Sequence, residues 1–214
     1  MSDERIPTAV LASGNGTNLQ AVIDAVAAKA LPLELRVVAS NNERAPALER
    51  ARRAGIATLV MPYRRDAQSR ADYGLRLARE LRSRGVRLVL LLGWMHVLAP
   101  EFLDAGFEAI LNLHPGYLPD NPADDTVALP DGTRSKVFRG ARALRDAIEE
   151  RVTMTGATLM RITTEVDRGP VLARRTLELL PDDDERSALE RLHPIEQQVV
   201  RDGILAWLES RVRR

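Results

Sequence analysis

The sequence predicts a doubly wound α/β fold, a mostly parallel sheet with helices on both faces. Short apolar runs recur through its first half, and each is followed by a helical pattern. The runs are apolar throughout rather than alternating, as expected of strands buried on both faces. Parallel strands joined through helices take right-handed crossovers, which wind the sheet in layers.

The elements follow in order. "TAVLAS" (8–13) reads as the first strand; "GNGTN" and the helical pattern "LQAVIDAVAAKAL" come next. "LELRVVAS" (33–40) is the second strand, and "APALERARRAGI" a helix closed by Gly55. "ATLVMPY" is the third strand. The long amphipathic pattern "DAQSRADYGLRLARELRSRGV" places an N-cap at Asp66 and a stop at Gly85. "RLVLLLGW" is the fourth strand, "APEFLDAGF" a short helix and "EAILNLHP" the fifth strand.

After Pro119 the alternation stops. Residues 120–138 are polar and turn-rich, and within them "TVAL-PDG-TRSKVF" has the form of a β-hairpin turning on Pro-Asp-Gly. A helix over 141–151, the strands "GATLMRIT" and "PVLARRTLEL" joined by "TEVDRGP", and a helical pattern over 184–211 complete the chain. Pro194 is expected to kink or split that last helix. Without repeats or a low-complexity linker, residues 1–214 read as one domain.

Composition narrows the function. The 31 basic and 30 acidic residues leave a net charge of +1, which gives no electrostatic reason to expect nucleic acid or a membrane surface as partner. The charged ends "SDER" and "ESRVRR" read as solvated termini. There is no cysteine, so thiolate nucleophiles and Cys-based zinc sites are excluded. No apolar run approaches the ~20 residues of a membrane span, and the N-terminus lacks a signal-peptide core. A cytoplasmic protein acting on small molecules is the expectation, with a homodimer left open.

Three segments carry candidate chemistry, all at strand ends. "SGNGTN" (13–18) lies between the first strand and the first helix, where converging N–H groups and the helix dipole favour a phosphate. It is neither a complete dinucleotide fingerprint nor a Walker A sequence, and a plain tight turn is the alternative. "GWMHVL" (93–98) ends the fourth strand. In a doubly wound sheet that strand returns to pair with the first, and ligands bind in the crevice between them. Trp94 and Met95 there can hold a flat heteroaromatic ring, with ordinary core packing below a loop the alternative.

"NLHPGYLP" (112–119) ends the fifth strand, and Asp167 in "TEVDRGP" can reach it. A carboxylate beside an imidazole favours its charged form. Asn112 can donate to an oxygen that turns negative during attack on a carbonyl. Asn112, His114 and Asp167 with no evident Ser or Cys nucleophile suggest direct acyl transfer to a bound amine.

Together "SGNGTNLQAVIDA", "GWMHVLAPEF", "LNLHPGYLP" and "TGATLMRITTEVDRGPVLA" resemble, in order and spacing, the glycinamide ribonucleotide formyltransferase family, over nearly the whole chain except about 120–138. The resemblance implies a Rossmann-like formyltransferase fold. It also implies transfer of a formyl group from 10-formyltetrahydrofolate to the amine of glycinamide ribonucleotide in purine synthesis, with no metal. By this resemblance Gly16, Thr17 and Asn18 match positions that hold the ribose phosphate, and Glu196 one that contacts the glycinamide substrate. Met95, His96, Val97 and Leu98 match the pteridine pocket, and Arg70 a folate-contacting arginine. Asn112, which also borders the folate, and His114 match the catalytic pair. Asp167 matches the aspartate that tunes the histidine and orders a water.

Three departures stand out. Met160 replaces a histidine common in the family, His96 replaces an arginine, and residues 120–138 replace the usual loop. That segment is read as a lid, and its carboxylates Asp120, Asp124, Asp125 and Asp131 as a solvated hairpin rather than a cation site. Formyltetrahydrofolate hydrolase and methionyl-tRNA formyltransferase are similar in the Asn, His and Asp. They are set aside because the first carries an extra N-terminal domain and the second a C-terminal domain and basic surface. A module that binds nucleotide or folate without catalysis is the remaining alternative.

Overall fold

A computed structural model describes residues 5–212; residues 2–4 and 213–214 of the charged ends lie outside the described residues. The chain divides into two compact units, one ending at Leu111 and the other beginning at Asn112.

In the first unit, β1 (Ile6–Leu11), β2 (Leu33–Ser40), β3 (Thr58–Val60) and β4 (Leu88–Leu91) alternate with α1 (Thr17–Ala27), α2 (Pro46–Arg53) and α3 (Arg70–Arg82). The helix α4 (Pro100–Leu103) leads to β5 (Ala109–His114), which crosses the unit boundary. β1 pairs in parallel with β2 on one side and β4 on the other, and β2 with β3, so the fourth strand does return to the first. The uniform apolar runs have the expected cause: Ala9, Val10 and Leu11 of β1 and Leu88, Val89 and Leu90 of β4 are all sealed from solvent.

The second unit holds β6 (Thr126–Ala128), β7 (Arg134–Lys136), α5 (Ala143–Glu149), β8 (Met154–Arg161), β9 (Val171–Glu178) and α6 (Glu185–Val212). β6 and β7 form the expected antiparallel hairpin, with Val127 opposite Ser135. Its turn closes through Leu129 N–H to the Thr133 carbonyl (2.8 Å) and Asp131 Oδ1, which accepts from Thr133 N–H (2.9 Å). β8 and β9 are antiparallel, and α6 packs against both. The larger sheet has seven strands in the order β3-β2-β1-β4-β5-β8-β9, mostly parallel and flanked by helices. No helix among the described residues is long and apolar enough to cross a membrane.

Two local expectations need correction. The cap of α3 is Ser69, not Asp66: Ser69 Oγ accepts from Asp72 N–H at 3.0 Å and donates to Asp72 Oδ2 at 2.7 Å. Asp66 lies in a turn one step earlier, without helical N–H groups to receive. The last helix is not split, because α6 runs unbroken through Pro194. A proline removes one N–H bond from a helix interior, and the packing of 28 residues against two strands outweighs that single loss.

Gly203 shows how closely α6 approaches the sheet. A Cβ there would lie 2.9 Å from Leu159 Cβ and 2.6 Å from Leu159 Cδ2. Gly→Ala inside a helix normally gains about 1 kcal/mol from propensity, but overpacking a core contact costs about 1–3 kcal/mol. Because the Leu159 Cβ is fixed to its strand, the clash wins. Gly203→Ala is expected to lower the melting temperature by about 2–4 °C. Calorimetry checks this, and a rise would show that α6 shifts freely on the sheet.

Candidate active site

Side chains alternate along a strand, so residues two apart share a face. That places Asn112 and His114 side by side at the end of β5. Asp167, in the turn between β8 and β9, meets both. Its Oδ2 lies 3.2 Å from His114 Nδ1, and its Oδ1 accepts from Asn112 Nδ2 at 3.4 Å. Both acid and base are sealed in, their side chains 3% and 8% exposed.

The rest of the cluster is main chain. Gly140 N–H donates to Asp167 Oδ2 at 2.7 Å, and His114 Nε2 stands 2.8 Å from the Phe138 carbonyl. Burial of the Asp167 carboxyl group is tolerable because Asn112, Gly140 and His114 all approach its oxygens.

Gly116 makes room for the ring. A Cβ there would fall 2.7 Å from His114 Nε2 and 3.2 Å from the Phe138 carbonyl oxygen. Thr158 holds this turn: its Oγ1 donates to the Gly116 carbonyl (2.7 Å) and accepts from Leu118 N–H (3.1 Å).

In the first unit the loop after β1 is tied to the segment after β4. Ser13 N–H donates to the Gly93 carbonyl at 2.9 Å, and Ser13 Oγ accepts from Met95 N–H at 3.0 Å. Gly16 caps α1 in the left-handed region (φ 74°), where a Cβ would also collide with Ala47 Cβ at 2.7 Å. Thr17 and Asn18 open the helix, and its first turn carries no acidic residue to offset the N-terminal dipole. Arg50 reaches this loop, donating from Nε to the Asn15 carbonyl at 2.9 Å.

Also in that unit, Arg70, Met95, His96, Val97 and Leu98 do gather: they line a cavity of about 160 Å³ with Tyr63 and Arg65. His96 packs edge-on to Tyr63 and Trp94. Burial, and then Arg65, push its pKa down, so a neutral ring takes the place of the arginine expected from the family. Tyr73, at the cavity wall, donates to the Met61 carbonyl at 2.8 Å, and burial lifts its pKa to about 12.

Glu196 is buried on α6 and accepts from His193 Nδ1 at 2.9 Å. That bond raises the His193 pKa against the opposing effect of burial. Met160, 2% exposed, packs with Leu118 and with Val127, Leu129 and Val137 of the hairpin segment. The base of the hairpin is therefore an anchored wall.

The four hairpin carboxylates are individually engaged. Asp120 pairs with Arg174, Asp124 accepts from Asn121, Asp125 pairs with both Arg139 and Arg168, and Asp131 caps the turn. Sequence reasoning missed Phe138, Arg139, Gly140, Tyr63 and Arg65. The first and third act through main-chain atoms, which leave no trace in residue type. The "RG" of "VFRG" is the one mark that a fixed turn sits there.

A formyl transferase family model matches residues 6–204. The phosphoribosylglycinamide formyltransferase of Dictyostelium discoideum is 34% identical over 207 residues, covering 91% of this chain and 94% of its own. The enzyme of that name from Escherichia coli (strain K12) is 31% identical over 198 residues, covering 92% of this chain and 84% of its own. The crystal structure of glycinamide ribonucleotide transformylase 1 from Symbiobacterium toebii superposes with a TM-score of 0.81 at 34% identity, over 94% of this chain and 86% of that one. The chain belongs to the formyl transferase family.

Proposed function

We propose that this protein is a phosphoribosylglycinamide formyltransferase: it moves the formyl group of 10-formyltetrahydrofolate to the amine of glycinamide ribonucleotide. The family model runs unbroken across both units, which supports a single formyltransferase domain. The observation that carries the reading is the buried Asn112–His114–Asp167 cluster in a chain of this family.

The donor brings a formyl carbonyl held on nitrogen, and the acceptor a neutral primary amine. As the amine attacks the carbonyl carbon, negative charge collects on the oxygen. An amide NH₂ has two hydrogens, and only one from Asn112 is spent on Asp167, so the other can meet that oxygen. Both ring nitrogens of His114 face protein oxygens, which fixes the orientation of the ring beside Asn112.

The proton leaving the attacking nitrogen ends on the departing folate nitrogen as the old C–N bond breaks. A carboxylate has about four acceptor positions, and three on Asp167 are filled by Asn112, Gly140 and His114. The fourth suits a water that carries this proton. Aromatic and thioether walls at Tyr63 and Met95 fit a flat pteridine, and the guanidinium groups of Arg65 and Arg70 fit the folate carboxylates. The dipole end of α1 at Gly16 to Asn18 fits the ribose phosphate. Glu196 fits the substrate's polar glycinamide end. Such a transfer needs no metal ion from the protein.

Incubation with both substrates should release tetrahydrofolate only when both are present. Saturable binding without transfer would instead indicate the silent module. His114→Ala and Asp167→Ala are each expected to lower kcat by about 100-fold or more, with unchanged circular dichroism; near wild-type turnover in either variant would remove the mechanism. Met160→His restores the common family residue but buries an imidazole in an apolar cluster. It should cost about 1–3 kcal/mol in urea unfolding and leave kcat no higher than wild type. A gain in kcat would show that the cluster admits a proton relay.

A further inference from the structure

We propose that Arg139 is a positioning residue for the reaction: together with Asp125 and Arg168 it holds Asp167 in the one backbone conformation that aims its carboxylate at His114. This rests on the formyl-transfer reading and assigns a role to the variant segment around residues 120–138, where family resemblance is lost.

Asp167 needs holding. Its φ of 52° lies in the left-handed region, which side chains other than glycine enter at a cost and which short polar residues tolerate only with local support. The next residue but one is equally constrained: a Cβ on Gly169 would overlap the Arg161 carbonyl oxygen at 1.6 Å. The turn therefore presents the carboxylate in one direction, and a modest rotation of the Asp167 peptide would carry Oδ2 away from His114 Nδ1.

Arg139 grips that peptide. Its Nε donates to the Asp167 carbonyl at 3.2 Å. The remaining guanidinium N–H groups run into the variant segment: Nη1 to Asp125 Oδ1 at 2.9 Å, and Nη2 to the carbonyls of Asp124 (2.7 Å) and Pro122 (3.4 Å). From the other flank of Asp167, Arg168 reaches the same places, with Nη2 to Asp125 Oδ1 at 2.7 Å and Nη1 to the Pro122 carbonyl at 2.6 Å. Two guanidinium forks thus converge on one carboxylate and one carbonyl and bracket the catalytic aspartate between them.

The main chain completes the link, since the residue after Arg139 supplies the Gly140 N–H that bonds Asp167 Oδ2. Arg139 consequently sets both ends of Asp167, its carbonyl directly and its carboxylate through the adjoining peptide. A planar fork with five N–H donors can serve four acceptors at fixed angles, which a lysine cannot. Asp125 is itself exposed, so its value is geometric: it fixes where the two forks point.

The test is a double-mutant cycle with both substrates saturating. Arg139→Met should lower kcat about tenfold, with each KM within about twofold of wild type, because the guanidinium spends its N–H groups on Asp167, Asp125, Asp124 and Pro122. On an Asp167→Asn background the same change should have no further effect, since Arg139 acts only through Asp167. Asp125→Asn should lose kcat in the same direction by about threefold, again only when Asp167 is intact. Should Arg139→Met fail to fold, Asp125→Asn and its combination with Asp167→Asn are read by the same criterion.

A kcat of Arg139→Met within twofold of wild type overturns the proposal, and so does a loss that multiplies in full with that of Asp167→Asn. If the wild-type protein forms no tetrahydrofolate at all, the formyl-transfer reading falls by itself. The crystal structure of Arg139→Met then decides the positioning claim. Opening of the His114 Nδ1 to Asp167 Oδ2 contact supports it, and an unchanged 3.2 Å contact at the same Asp167 φ overturns it.

Discussion

Asp167 and His114 are sealed from water and face each other at 3.2 Å, and the second unit is arranged around keeping them in that relation. Each neighbour has a part that follows from it. Gly116 lacks the Cβ that would push the ring out of place, and Thr158 pins the turn carrying Gly116. Phe138 occupies the far ring nitrogen, and Gly140 and Asn112 fill the carboxylate.

The binding features proposed in the first unit rest on different physics. The open N-terminus of α1 offers dipole and N–H groups at a glycine that close packing against Ala47 requires. The cavity at Met95 to Leu98 offers aromatic faces, with the His96 ring kept neutral by burial and by Arg65. A neutral ring against Tyr63 and Trp94 presents a flat edge where an arginine would present a charge. The charges of the cavity then come from Arg65 and Arg70, which suit carboxylates at its margin.

The alternating elements were legible because strands buried on both faces must be apolar throughout, and helices between them must carry an apolar stripe. β2 matches its expected bounds to the residue. Caps were less legible: Asp66 and Ser69 both suit an N-cap, and only the mutual bonds of Ser69 and Asp72 decide. Asn112 and His114 could be paired from strand alternation alone. Asp167, 55 and 53 residues away from them, stands in a loop that the order of strands allows to reach them, and resemblance supported the match; no local pattern encodes the meeting. Phe138 and Gly140 contribute main-chain atoms, and Arg139 contributes a side chain whose partners are mostly carbonyls. Such contacts depend on where the chain runs, and the sequence names only the residues.

The apolar residue at 160 and the hairpin of β6 and β7 belong together. The hairpin turns Val127, Leu129 and Val137 inward, and they need an apolar floor; Met160, with Leu118, supplies it. An imidazole on that floor would be buried among side chains that offer it no hydrogen bond. An apolar residue at 160 therefore suits the hairpin, and it brings no polar group of its own to the neighbourhood of β8. Once the hairpin is seated, its first turn brings Pro122, Asp124 and Asp125 within reach of Arg139 and Arg168, whose positions flank Asp167. Asp167 is held instead by guanidinium groups and a main-chain N–H. The apolar floor and the charged brace are two faces of one element, so neither is intelligible without the other.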